Sequence, residues 1–214
     1  MNENLTELVF ILDRSGSMSG LEEDTIGGFN SFIEKQKNEK GGCLVSTVLF
    51  NQSSKVVHDR VDLKEIEKMT RNDYFASGTT ALIDALGDAI RHIRTVHRYI
   101  RKEDVPVKTA FIIITDGMEN ASRRYSSDEV KKMVKEQKAK GWDFLFLAAN
   151  IDAVETAKSY GIEEEYSVDF HNDAKGVAKN FETLSETVAC YRTKRSFAKD
   201  WAAGIKDDFK ERGN

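Results

Sequence analysis

Leu8-Val9-Phe10-Ile11-Leu12-Asp13-Arg14-Ser15-Gly16-Ser17-Met18 is the stretch that decides the fold. Five uninterrupted apolar residues, β-branched and aromatic among them, suit a strand buried on both faces of a parallel sheet. The chain then breaks at once into an acid, two hydroxyls and a glycine. Two other runs are built the same way: Ala110-Phe111-Ile112-Ile113-Ile114, which leads into Thr115-Asp116-Gly117, and Phe144-Leu145-Phe146-Leu147-Ala148. A fourth, Leu44 to Phe50, is followed by Asn51-Gln52-Ser53-Ser54 and the strand-like Lys55 to Val61. That polar break reads as a hairpin and gives one antiparallel edge strand.

Helical stretches lie between the strands. Ile26, Phe29 and Ile33 share one helical face, and Leu82, Leu86, Ala89, Ile93, Val96 and Ile100 share another. Val130, Met133, Val134 and Gln137 mark a shorter, more charged helix opened by Ser126-Ser127-Asp128 with Glu129 in its first turn. Strand–helix alternation predicts a doubly wound α/β domain: a mainly parallel central sheet with helices on both faces. Beyond Phe170 the pattern is helical only. Val177, Phe181, Leu184, Val188 and Tyr191 form one apolar stripe, and Phe197, Trp201, Ile205 and Phe209 form a second, on a further helix or a bent continuation. The division expected is a domain over 1–192 and a C-terminal helical tail over 193–214. The tail stripe has two readings, packing back on the domain or self-association.

Composition removes several classes. With 214 residues, 40% hydrophobic and 32% charged, the chain is long enough for a real core and too apolar for a disordered acidic segment. Its formal net charge of −4 argues against a general nucleic-acid binder, and the tail, with a small positive excess, is no basic arm. Pro106 is the single proline, which excludes proline-rich linkers and docking segments. No stretch approaches the ~20 apolar residues of a membrane span. The amino terminus shows no basic lead-in and no signal-peptide core, so a cytoplasmic location is expected. Cys43 and Cys190, well separated and outside any CxxC, read as small hydrophobic residues.

Ligands of open α/β sheets bind beyond the carboxyl ends of the strands. There the chain offers Asp13-Arg14-Ser15-Gly16-Ser17-Met18, Ala76-Ser77-Gly78-Thr79-Thr80-Ala81 and Asp116-Gly117. Converging, they supply two carboxylates and several hydroxyls without Cys or His, a hard oxygen set that selects Mg²⁺, Mn²⁺ or Ca²⁺ over zinc or copper. Any one of these segments alone reads as a helix cap; it is their conjunction that points to a ligand site.

Together the three segments resemble the motifs of von Willebrand factor type A domains. Asp13-Arg14-Ser15-Gly16-Ser17 matches that family's D-x-S-x-S signature, Ser77-Gly78-Thr79 resembles its threonine loop, and Ile114-Thr115-Asp116-Gly117 its final aspartate motif. The resemblance spans roughly residues 5 to 190 and implies a Rossmann-like fold with a metal-ion-dependent adhesion site. It implies Ser15, Ser17 and Thr79 as hydroxyl ligands and Asp13 and Asp116 as direct or water-mediated ones. Many members carry Gly-Gly-Thr where this chain has Ser-Gly-Thr-Thr, which leaves Thr80 as the alternative; Thr79, directly after the glycine, is preferred. Asp84, one turn into the next helix, reads as a supporting group. The function implied is metal-bridged protein binding without catalysis, a partner Asp or Glu completing the shell of a Mg²⁺ ion. Intracellular bacterial-type members of the family suggest a cytoplasmic complex, sometimes with a partner ATPase.

Other chemistries fit less well. A phosphoaspartyl hydrolase usually carries a second Asp two residues after the first, where Ser15 stands here. Gly16-Ser17-Met18-Ser19-Gly20 places Met18 where a nucleophile elbow demands Ser. His92 and His97, five apart on a helix, point about 140° from each other and share no ligand face. A Mg²⁺-dependent hydrolase and a metal-free scaffold with a vestigial site remain the rival classes.

Overall fold

The structure is a computed structural model and describes residues 1–213. Its elements are β1 (Asn2–Asp13), α1 (Glu22–Lys37), β2 (Gly42–Phe50), β3 (Ser54–Asp62), α2 (Leu82–Tyr99), β4 (Pro106–Thr115), α3 (Ser127–Lys138), β5 (Trp142–Ala148), α4 (Ala153–Ser159), β6 (Ser167–Asp169), α5 (Ala174–Lys194) and α6 (Ala203–Arg212). The six strands form one sheet in the order β3-β2-β1-β4-β5-β6. Every pairing is parallel except β2 with β3, the antiparallel edge that the polar break predicts. The expected fold class is what forms.

β1 is the central strand, and alternation along it divides the core in two. Leu8, Phe10 and Leu12 face α1 and α5, where Phe29, Phe32, Phe181, Leu184 and Val188 meet them. Val9 and Ile11 face α2 and α3, against Leu86, Ile90, Ile93, Val130 and Val134. Both faces are covered, so the strand needs no polar side, as its unbroken apolar run requires. α1 and α5 pack closely because α1 carries Gly28, where an added Cβ would lie 2.2 Å from the Phe181 ring.

One charge interrupts this pattern. Glu7, fully buried in β1, accepts from Arg60 Nε at 2.6 Å and pairs with His97 Nε2 at 2.5 Å. A buried carboxylate persists only when paired and hydrogen-bonded in this way. His97 is thus a satisfied structural histidine, as is His58, which meets Thr47 Oγ1 at 3.0 Å.

Helix starts follow local chemistry. Ser126 caps α3 in a capping box with Glu129, while Asp152 caps α4 and Asp173 caps α5 through the backbone N–H groups of Glu155 and Gly176. α4 is an element that sequence periodicity does not announce. The tail resolves in favour of packing on its own chain. Trp201, Ala202 and Ile205 are buried in the same core as α5, Trp201 Nε1 donates to Glu165 O at 2.8 Å, and Phe197 stacks on Tyr191 with ring centroids 4.3 Å apart. The self-association reading of that stripe loses its surface, because the rings are spent on the chain's own core. Of the apolar stripe only Ile205 and Phe209 lie on α6. Among the described residues, no helix is long and apolar enough to cross a membrane.

Candidate metal centre

The carboxyl ends of β1 and β4 lie side by side, and the turns that follow them meet. Asp13, the last residue of β1, is held at both oxygens: Oδ1 accepts the Ser15 backbone N–H at 2.7 Å and Oδ2 the Thr115 hydroxyl at 2.6 Å. The Tyr74 hydroxyl donates to the Asp13 carbonyl at 2.5 Å. Ser15 Oγ lies 3.0 Å from Ser17 Oγ, and Ser17 Oγ donates to Asp116 Oδ1 at 2.6 Å. Asp116 Oδ2 accepts from Asn172 Nδ2 at 2.9 Å, and the Asp116 carbonyl accepts from Asn150 Nδ2 at 3.2 Å. The structure therefore brings Asp13, Ser15, Ser17 and Asp116 into one hydrogen-bonded group, joined by Thr115, Asn150 and Asn172.

The threonine loop reaches this group through backbone bonds. Ser77 N–H donates to Arg14 O at 2.9 Å and Gly16 N–H to Gly78 O at 2.9 Å. Gly78 sits at φ +77°, the left-handed region that favours glycine, and a Cβ there would displace the Gln52 side-chain amide. The turn separates the two threonines. Thr79 is exposed, with its N–H on Gln52 Oε1 at 3.3 Å. Thr80 is buried, and its Oγ1 and that of Ser17 lie 3.5 Å and 3.3 Å from the point a Cβ on Gly117 would occupy. The preference for Thr79 is thus not supported by the geometry. The residue directly after the glycine lies at the surface, and the next is buried with its hydroxyl on the same side of Gly117 as that of Ser17.

Asp84 stands outside the group. Its carboxylate accepts the backbone N–H groups of Arg123, Arg124 and Tyr125 at 3.0, 2.8 and 3.0 Å. Burial pushes its acidity the other way, but those three bonds win and hold the carboxyl below the ordinary range. With Glu119, which accepts from Ile83, Ala121 and Ser122, it ties the loop after Asp116 to the start of α2.

Among the described residues neither Asp13 nor Asp116 makes an ion pair, and no cation offsets the burial of either. Burial raises the affinity of Asp13 for its proton despite the Ser15 and Thr115 bonds, and the Asp116 charge adds to this. Burial does the same to Asp116 against the bonds from Ser17 and Asn172. Two desolvated carboxylates resist simultaneous ionisation unless a cation joins them. Among the described residues no three His, Cys, Asp or Glu side chains gather as a metal cluster. Two carboxylates with serine and threonine hydroxyls make instead an all-oxygen donor set that fits a hard divalent ion.

A doubly wound sheet with this constellation at its carboxyl edge defines a class, and the comparisons agree with it. The sequence profile of the von Willebrand factor type A domain matches residues 7–181, and the chain belongs to that family. No curated protein sequence matches it. Among solved structures it is similar to the vWF domain of the type V pili tip protein Mfa5 from Porphyromonas gingivalis, at 11% identity and TM-score 0.65, covering 88% of this chain and 96% of that one. It also resembles proximal thread matrix protein 1 from the mussel byssus with a zinc-occupied MIDAS motif, at 14% identity and TM-score 0.58, covering 87% and 46%. Manganese-loaded TRAP protein of Plasmodium vivax follows at 17% identity and TM-score 0.56, covering 85% and 74%. The chain spans less than half of the mussel protein it matches. At these identities the likeness is one of fold.

Proposed function

We propose that this chain is a divalent-metal-dependent protein-binding module. Asp13, Ser15, Ser17 and Asp116 would hold a Mg²⁺ ion with Thr80, which takes the role first given to Thr79, and a partner's Asp or Glu would complete the shell. The observation that carries the reading is the hydrogen-bonded chain from Asp13 through Ser15 and Ser17 to Asp116, with both carboxylates buried and driven toward protonation. An ion held largely by neutral hydroxyls keeps enough electrophilicity to take a further carboxylate. The solved relatives that carry zinc and manganese support a divalent ion in general. Choice of Mg²⁺, binding rather than catalysis, a cytoplasmic setting and an ATPase complex as partner belong to the same proposal, the last two on family analogy alone.

Calorimetry with Mg²⁺ and Mn²⁺ tests the ion: one site in the wild type and none in Asp13→Ala is expected, and a heat-silent wild type is the vestigial scaffold. Phosphatase and esterase screens with and without metal address the hydrolase alternative. Metal-dependent turnover that Asp13→Ala abolishes would replace the binding reading.

A further inference from the structure

Arg14 lies between Asp13 and Ser15 and has no role in holding an ion. Arg14 is only 7% exposed, and its Nε is buried with no hydrogen-bond partner. Among the described residues it enters no ion pair. What it meets is a ring: its guanidinium carbon lies 5.0 Å from the centroid of Phe75, on the loop leading to Thr79 and Thr80. Phe75 is itself an anomaly, a large apolar side chain 51% exposed beside a polar site.

Of the five N–H donors of its guanidinium, the one at Nε is buried and left without an acceptor, which is unfavourable for a charged group. Stacking on an aromatic face returns only part of that cost. The carboxylates nearby do not settle the account, because a divalent ion cancels the two charges of Asp13 and Asp116 and leaves the charge of Arg14 unbalanced. A cation with a buried donor left unpartnered, borne by the residue between Asp13 and Ser15 and stacked on an exposed ring, points to an anion brought from outside.

We propose that Arg14, shielded by Phe75, is a second anchor for the partner: one acidic side chain ligates the ion and a second docks on the Arg14 guanidinium. This rests on the metal-bridged reading above and narrows it. The partner surface is an acidic segment with two carboxylates close together, and an isolated acid binds less tightly. A charge-assisted, planar pairing of this kind discriminates two acids from one by at least about tenfold.

The test is selection from a random peptide library displayed on phage, panned on the full chain in Mg²⁺ and in EDTA. A selected peptide is then compared with its version in which the second acid is replaced by the amide, on wild type and Arg14→Gln. Expected are paired acids in the Mg²⁺ pool, a loss of about tenfold or more on Arg14→Gln for the two-acid peptide, and no further loss for the one-acid peptide. Equal losses for both peptides, or none, overturn the anchor while leaving the metal bridge standing. Enrichment that survives EDTA overturns the metal bridge and the anchor with it. Circular dichroism checks the Arg14→Gln fold. Should that variant not fold, Phe75→Ala removes an exposed ring instead. A severalfold loss confined to the two-acid peptide then supports the anchor, and unchanged affinity overturns it.

Discussion

Ser17 Oγ donates to Asp116 Oδ1 at 2.6 Å, joining the turns after β1 and β4 across 99 positions of chain. One hydroxyl thus offers its proton to a carboxylate and keeps a lone pair for an ion. Ser17→Ala removes the crosslink and the donor together. Metal affinity is expected to fall at least about tenfold by calorimetry, whereas the metal-free fold loses no more than ~1 kcal/mol, the usual net value of one hydrogen bond.

Asp13→Asn separates stability from function. An amide at this position still accepts from Ser15 N–H through oxygen and donates to Thr115 Oγ, which can turn to accept. It removes one of two buried charges, so the metal-free variant should melt higher than the wild type by ~2–4 °C, roughly 1 kcal/mol in a chain of this size. Added Mg²⁺ raises the wild-type midpoint and leaves the variant unmoved. A variant that melts lower in EDTA contradicts the charge argument.

The pH dependence has a definite sign. Folding raises the proton affinity of Asp13 and Asp116, so the native state binds more protons than the unfolded chain between the ordinary carboxylate range, roughly pH 4, and the raised native values. Stability from these two groups is fully present below that window and is lost as pH rises through it. The advantage of Asp13→Asn over wild type in EDTA should therefore shrink on acidification. In saturating Mg²⁺ the trend inverts, because the ion competes with protons and wild-type stability falls as the carboxylates protonate.

The two threonines give a paired comparison. Thr80→Ala is expected to weaken Mn²⁺ binding about tenfold, while Thr79→Ala, at an exposed position, changes it less than twofold. The reverse order would return the ligand role to Thr79.

Gly28→Ala tests how closely α1 and α5 must approach. Alanine favours a helix over glycine by up to ~1 kcal/mol. Here its methyl would overlap the Phe181 ring, and overpacking costs ~1–3 kcal/mol, so a net loss is expected in urea denaturation.

β1, β2, β4 and β5 are legible because their runs are short, apolar and end in turn chemistry, and β3 because Asn51 to Ser54 separates it from β2; β6, at three residues, is too short to form such a run. α4, at seven residues, offers too little periodicity to be seen. Asn172 and Asn150 reach Asp116 only through tertiary packing of the β5 and β6 ends, and no local pattern marks them. Thr79 and Thr80 are a different case. Both carry the right chemistry, and only the backbone path after the left-handed Gly78 shows which hydroxyl is buried near that of Ser17. Arg14 occupies the variable position of its motif, where spacing alone predicts nothing about burial.

The most direct test of metal-bridged binding is capture from the cell extract in which the protein occurs, with immobilised wild type and Asp13→Ala, loaded in Mg²⁺ and eluted in EDTA. The account predicts a partner that wild type retains in Mg²⁺, that EDTA releases, and that Asp13→Ala never holds. A partner held equally by both proteins and unmoved by EDTA would contradict it.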